Sequence, residues 1–418
     1  MSGTRPSRAH IVAALTSAVL LLLIFGGYYD YKPGRGARFH PRIDLSQPQV
    51  LSQIHSKPES TNQLVPQAQI GSDIDLGHCS PTILPFADTQ TSSELSNDVI
   101  PNIVHYVWLL NGHGDFSVDF KLFISAYSAW LYFRPDTIYV HTDASAEQWE
   151  KAETSGNEAT RWMLSIPNVV HHWIKPPKYT LSCREIKRIE HVSDFVRTQQ
   201  LYHYGGIYMD ADVLPLRDVR KLRESGFSNI VGIEDPGKIN NGFMMSKPRS
   251  ALMSILMSEQ HRVFDNEWLT HSVELLSTIA YRLQAVPGEV MILGVKAFAP
   301  SSWRVDAVEA LFNPHDDTET SIPKEGKDEL PKIPIGSQDT IDYWVHRNWE
   351  GRAEWEIDYS SSYVIHAFDG MAESYWPERV NFEYVMARQS NLARAVYPAI
   401  KHAVDAGIID RKPKAKVI

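Results

Sequence analysis

Gly205-Gly206-Ile207-Tyr208-Met209-Asp210-Ala211-Asp212 joins a glycine turn to a short apolar run that ends in two carboxylates with one residue between them. Such a pair suits hard divalent cations such as Mg²⁺ or Mn²⁺, which take oxygen ligands and leave positions open for substrate phosphates. An isolated Asp-x-Asp carries little weight, and Asp73-Ile74-Asp75 repeats the pattern elsewhere in the chain. The flanking segments decide the reading.

Upstream, Val192, Phe195, Val196 and Tyr202 trace an apolar helical stripe, and Gly205-Gly206 supplies a helix stop and a tight turn. A helix from Asp194 to Tyr204 rises roughly 15 Å, and a strand over Ile207 to Asp212 advances roughly 17 Å. The two run antiparallel across the turn, so the helix start comes back level with the strand end. Asp194 and Arg197 share a helix face and are therefore expected near Asp210 and Asp212. That edge, at the C-terminal ends of parallel strands, is where open α/β folds bind ligands. The plain alternative is an ordinary helix ion pair between Asp194 and Arg197.

Outward from this unit, strands and helices alternate. Strands are expected at Ile103–Trp108, Ile138–His141, Val169–Ile174, Ile230–Ile233, Gly242–Met245 and Tyr363–Phe368, and helices near Phe116–Phe133, Ser145–Leu164 and Leu392–Ala406. The alternation implies a largely parallel sheet covered by helices on both faces. Asn313 to Gln338 is charged, Pro-rich and aperiodic, and reads as a surface insertion.

The chain has 418 residues and a formal net charge of -9, with no Lys/Arg stripe interleaved with aromatics. A nucleic-acid footprint is thereby disfavoured. Only Cys79 and Cys183 are present, so neither a disulfide framework nor a cysteine metal site can be built. A Cys79–Cys183 bond is disfavoured because Cys79 precedes the expected folded region, and cysteine usage leaves the redox compartment open.

Ile11 to Gly27 is an uncharged apolar run followed by Tyr28 and Tyr29. It is at the short end of a membrane span, which takes roughly 17 to 25 residues. No Ala-x-Ala-like cleavage site follows it, so an uncleaved signal anchor is expected. Arg5 and Arg8 precede the run while Lys32, Arg35 and Arg38 follow it, a balance that slightly opposes an inward N-terminus. From about Asp30 to Asp98 the chain is rich in Pro, Ser, Gln and Gly and reads as a flexible stem.

Ser193-Asp194-Phe195-Val196-Arg197, followed by Leu201-Tyr202-His203-Tyr204 and the Gly-Gly-x-Tyr-x-Asp-x-Asp segment, resembles the signature of the DXD sugar-binding glycosyltransferases of family 32. It is similar also to the α-1,4-galactosyltransferases, the fungal α-mannosyltransferases and the glucosylating clostridial toxins. Ile100 to Trp108 resembles the opening strand of that family, and Asn240-Asn241-Gly242-Phe243-Met244 the segment after its metal motif. The resemblance covers about Ile100 to Pro248.

It implies an α/β fold, a GT-A-like Rossmann-type mixed sheet with flanking helices, here preceded by one transmembrane helix. The implied metal ligands are Asp210, Asp212 and His366, holding Mn²⁺ or Mg²⁺ against the donor diphosphate. His346 is a weaker rival to His366. Asp194, Arg197 and Asp212 take the catalytic positions. Trp108, Asp194, Arg197, Tyr208 and Asn241 take the donor-binding ones, with Trp108 stacking on the nucleobase and Tyr208 packing. Glu234, Asp235, Asn240 and Asn241 lie where residues facing the anomeric carbon are expected.

The expected organisation is a cytoplasmic tail (1–8), a signal anchor (9–29), a stem (30–98), a catalytic domain (99–390) and a C-terminal helix with a basic tail (391–418). The expected activity is metal-dependent, retaining transfer of a hexose from a nucleotide-sugar to a glycan or glycolipid acceptor, with a UDP-hexose slightly favoured. A luminal Golgi catalytic domain accounts for the anchor and stem, and that reading sets the inward N-terminus. A GDP-mannose-dependent α-mannosyltransferase, a non-catalytic sugar-binding descendant and a metal-dependent phosphohydrolase are the alternatives.

Overall fold

A computed structural model describes residues 99–110, 112, 114–315, 354–368, 370, 375 and 379–410. The expected anchor and stem, Cys79, His346, residues 316–338 of the insertion and the basic residues from Arg411 onward lie outside them. Among the described residues no helix is long and apolar enough to cross a membrane.

In chain order the elements are β1 (Ile103–Val107), α1 (Phe120–Phe133), β2 (Thr137–Thr142), α2 (Ala146–Ser155), α3 (Glu158–Leu164) and β3 (Val169–Trp173). Next come α4 (Ile189–Tyr204), β4 (Gly206–Met209), β5 (Val213–Pro215), α5 (Arg220–Arg223), β6 (Asn229–Glu234), β7 (Lys238–Ser246) and α6 (Ala251–Val263). A π-helical turn (Thr270–Glu274) leads into α7 (Leu275–Leu283), β8 (Val290–Leu293), α8 (Val295–Phe298) and α9 (Val305–Phe312). The last elements are β9 (Val364–His366), α10 (Phe382–Ala387) and α11 (Asn391–Asp405).

Seven strands form one mixed sheet in the order β3-β2-β1-β4-β7-β6-β8. Only β7 runs against its neighbours, pairing antiparallel with both β4 and β6. Rossmann-like in its parallel half and flanked by helices, this is the mixed GT-A arrangement that the resemblance implies. The C-terminal ends of β1, β2, β3, β4, β6 and β8 consequently share one edge.

Three local expectations are corrected. The strand after the glycine turn ends at Met209, so Asp210-Ala211-Asp212 is a turn, closed by Val213 N–H donating to the Asp210 carbonyl at 3.0 Å. The expected helix over Ser145–Leu164 is two helices, because Asn157 caps α3 by accepting from Thr160 N–H. The late strand at Tyr363–Phe368 shortens to β9 and pairs antiparallel with β5 outside the main sheet.

The core forms where the sequence is most apolar. Leu122, Phe123, Ile124, Ala126 and Tyr127 of α1 are fully buried, and each large apolar side chain among them contributes about 1.5–3 kcal/mol by leaving water. Leu392, Val396 and Ile400, at successive i, i+4 positions of α11, are buried in the same core. Cys183 is disulfide-bonded, which corrects the expectation that disfavoured such a bond.

The glycine turn is sterically required. A Cβ on Gly205 would stand 2.6 Å from Pro248 Cδ, and one on Gly206 would stand 2.5 Å from the Ile103 carbonyl oxygen. Both residues also have positive φ, at 65° and 100°.

A row of histidines lies beside this turn. His105 Nε2 is 2.8 Å from the Gly205 carbonyl, His105 Nδ1 is 2.9 Å from His141 Nε2, and His141 Nδ1 is 3.0 Å from His172 Nδ1. His172 Nε2 then meets the Tyr204 hydroxyl at 3.2 Å. Burial lowers the His105 pKa to about 4 and pulls those of His141 and His172 below the ordinary histidine value, so all three rings are neutral at pH 7. A carbonyl can only accept, so His105 Nε2 carries its proton. It follows that His141 donates from Nε2, His172 donates from Nδ1, and Tyr204 donates to His172 Nε2.

Candidate active site

The antiparallel return of α4 onto β4 brings Arg197 against Asp210. Its guanidinium lies 3.1 Å from Asp210 Oδ1 and 3.2 Å from Oδ2, and donates to the Asn241 carbonyl at 2.9 Å. Tyr208, fully buried on β4, donates its hydroxyl to Asp210 Oδ1 at 2.5 Å and receives the guanidinium over its ring face at 4.5 Å. Tyr208 thus positions Asp210 through its hydroxyl as well as packing.

Asp194 sits deeper. Its carboxylate accepts from Asn241 Nδ2 at 2.9 Å and from His271 Nε2 at 3.1 Å, and lies 3.4 Å from Arg197. The side-chain amide of Asn241 is therefore turned toward Asp194. His271, carried by the π-helical turn, is completely buried. No spacing in the sequence marked it, because it lies 77 residues from its partner.

Asp212 lies beside Asp210, within 4.8 Å by ligand atoms, next to the β5–β9 pair. The turn that ends the strand early swings it toward His366, whose Nε2 lies 3.5 Å from Asp212 Oδ2. The register Val213↔His366 and the Ala367 N–H donating to the Asp212 carbonyl at 3.0 Å hold the two together.

Ligand atoms of Asp210, Asp212 and His366 all lie within 4.8 Å of one another. Burial raises the Asp210 pKa, with Asp212 adding repulsion and Arg197 opposing both. Burial also disfavours charge on His366, but Asp212, Asp210 and Glu234 outweigh it and raise its pKa. Two crowded carboxylates with one imidazole fit a hard or borderline divalent cation, whose charge would favour the ionised form of Asp210. Gly242 lets the ligands close up. A Cβ there would stand 2.9 Å from Asp210 Oδ2 and 3.0 Å from His366 Cε1.

Asn240 orients the far side. Its Oδ1 accepts from the backbone N–H of Gly242 at 2.7 Å and of Phe243 at 3.2 Å. This leaves Nδ2 to meet Glu234 Oε2 at 2.7 Å and His366 Nδ1 at 2.6 Å. Glu234, last in β6, has a pKa raised by burial, with His366 and Asn240 opposing. Asp235 lies beyond it in the hairpin. Trp108 follows β1 on the same sheet edge, half-buried, with Nε1 donating to the Ser117 carbonyl at 2.8 Å.

Residues 121–228 match the family model described as a glycosyltransferase sugar-binding region containing a DXD motif. That span holds Asp194, Arg197, Tyr208, Asp210 and Asp212. The match falls on the segment that builds the site. Among curated proteins, it is 24% identical over 234 residues to "Glucan organizing enzyme 1" of Cryptococcus neoformans var. grubii, covering 52% of this chain and 59% of that protein. It is 34% identical over 96 residues to an uncharacterized protein of Arabidopsis thaliana, covering 22% and 14%. The chain therefore spans less than two thirds of the length of either relative. Among solved structures, "PaToxG Glycosyltransferase" is 10% identical with a TM-score of 0.33, covering 72% of this chain and 88% of that one. The glycosyltransferase GlyE of Streptococcus pneumoniae TIGR4 is 12% identical with a TM-score of 0.31, covering 68% and 66%.

Proposed function

We propose that this protein is a membrane-anchored, divalent-metal-dependent hexosyltransferase, drawing a hexose from a nucleotide-sugar and passing it to a glycan or glycolipid acceptor. The observation that carries the reading is the Asp210–Asp212–His366 cluster, set at the C-terminal edge of the sheet beside the buried Asp194–Arg197 pair. Asp210, Asp212 and His366 would hold Mn²⁺ or Mg²⁺ there, and the ion would supply positive charge to offset that of a departing nucleoside diphosphate.

The chain's own residues set the stage for that chemistry. Arg197, whose charge Asp210, Tyr208 and Asp194 sustain against burial, supplies a fixed positive charge beside the cluster, where phosphate charge develops. Asp194, clamped by Asn241 and His271, is held in one orientation and suits recognition of donor sugar hydroxyls. Trp108, at the end of β1, offers an aromatic ring for the nucleobase. Transfer with retention and a UDP-linked donor follow the resemblance to galactosyl and glucosyl enzymes.

The apolar run Ile11 to Gly27 supports a type II anchor with the catalytic domain in the Golgi lumen, and the disulfide at Cys183 fits an oxidising compartment. The decisive experiment is a panel of UDP- and GDP-sugars assayed for release of the nucleoside diphosphate with Mn²⁺, with Mg²⁺ and with chelator. Metal-dependent release from a UDP-hexose is expected, while release from GDP-mannose alone reassigns the donor. Release from no donor rejects the activity. Digestion of the catalytic domain by protease in sealed microsomes, without detergent, rejects the luminal topology.

A further inference from the structure

The strand order carries the site beyond the metal cluster. β6 runs parallel to β4 with only β7 between them, so the β6–β7 hairpin stands on the same edge, roughly 10 Å from the end of β4 at two strand spacings. Side-chain contacts are continuous across that gap. Asp212 meets His366, His366 meets Asn240, and Asn240 meets Glu234, the last residue before the hairpin tip Asp235-Pro236-Gly237.

Two aromatic side chains bracket this tip from different elements. Trp303, between α8 and α9, donates Nε1–H to the Asp235 carbonyl at 3.0 Å. Tyr281, on α7, donates its hydroxyl to the Gly237 carbonyl at 2.9 Å. Each ring has spent its polar hydrogen on the hairpin backbone, which fixes its orientation, yet Trp303 remains 41% and Tyr281 42% exposed. Burying large aromatic surface is favourable, so rings pinned by hydrogen bonds and left uncovered on a catalytic edge offer a ready platform. The ion pairs Arg304–Asp235 at 2.9 Å and Lys238–Glu274 at 3.5 Å add hydrogen-bonding groups around it.

We propose that Trp303 and Tyr281 form an acceptor subsite, stacking on the apolar C–H faces of sugar rings in a glycan chain whose end reaches the metal cluster. The inference rests on the reading of the protein as a glycosyltransferase and names a substrate class for it: an acceptor of more than one sugar ring. Aromatic faces supply the apolar contact and the flanking charged groups meet the hydroxyls, the usual division of labour in a ligand site. The other side of β4, toward β1 and Trp108, is left to the donor.

The test uses the full chain on an array of glucose-, mannose- and galactose-based oligosaccharides of increasing length, in the presence of UDP and Mn²⁺. Wild type is expected to bind at least one series with affinity that rises with length. The double variant W303A/Y281A should lose roughly tenfold or more of that affinity, about 1.4 kcal/mol, and W303F/Y281F should keep most of it because the rings remain. The ratio of sugar transfer to donor hydrolysis should fall in W303A/Y281A. Equal binding by wild type and W303A/Y281A, or no oligosaccharide bound by a wild type that hydrolyses a donor, overturns the subsite. Failure to turn over any donor strikes at the proposed activity instead, and ring-dependent glycan binding would still support the platform.

Discussion

The histidine row beside the glycine turn and the carboxylate cluster beyond β4 are both buried polar networks, yet only one of them is closed. In the row, every ring nitrogen of His105, His141 and His172 has a partner and no group needs a charge. In the cluster, burial and the neighbouring Asp212 raise the Asp210 pKa, and Arg197 offsets them only in part. A closed neutral network holds structure together; an open charged one has capacity left for a ligand. The two sit at opposite ends of the same short strand, β4, so the contrast can be probed without leaving one element.

Removing a cluster carboxylate should abolish function more than fold. Asp212→Ala is expected to lower metal-dependent transfer by roughly 10³-fold, read as kcat/KM, while the thermal midpoint moves little or rises. Undiminished turnover would remove Asp212 from the metal site. Arg197→Met should cost stability as well as activity. It strands Asp210 and Asp194 in a buried setting, costing roughly 3–5 kcal/mol in chemical denaturation, and added Mn²⁺ should restore part of the loss.

Acid should separate the two networks by sign. The His105 pKa is lowered to about 4 in the fold against about 6.5 unfolded, so between those values the unfolded chain binds more protons. Stability should therefore fall as pH drops from 6.5 toward 4, by about 3 kcal/mol from His105 alone, with His141 and His172 adding to it. Asp210, whose pKa is raised, works the other way in metal-free protein: its burden is relieved as pH falls through that raised value. Denaturation curves with chelator across this range measure the net slope, and His105→Gln should flatten it. A slope unchanged in that variant would deny the row its titration. Gly242→Ala is the mildest intrusion. Crowding Asp210 and His366 should cost about 1–3 kcal/mol and weaken Mn²⁺ binding by calorimetry on the order of tenfold.

The cluster was partly legible in the sequence. Matching helix and strand lengths across Gly205-Gly206 predicted that Arg197 returns to Asp210, because both partners lie within one local unit whose geometry follows from rise per residue. The pairing of Asp212 with His366 lay beyond the same logic, since the chain leaves the strand at Met209 and takes its next partner from β9, more than 150 residues away. His271 and the row of His105, His141 and His172 left no trace for a related reason. Their alignment depends on strand register and helix packing, not on spacing along the chain. Gly242 was read as part of a motif, but its purpose lies in the Cβ it lacks, which shows only once Asp210 and His366 are in place. The expected membrane anchor, stem and His346 fall outside the described residues.

The histidine row has a polarity as well as a pH response. Because the Gly205 carbonyl can only accept, every proton in the row points from Tyr204 toward the glycine turn, and no internal rearrangement can reverse it. Damage at the two ends is therefore unequal. Losing the Tyr204 hydroxyl leaves a lone pair on His172, at the partly exposed end, that solvent can serve. Losing His105 leaves the turn carbonyl and the Nε2–H of His141 without partners where water is excluded. The row thus passes the cost of any defect inward, to the glycines on which the metal-binding strand begins.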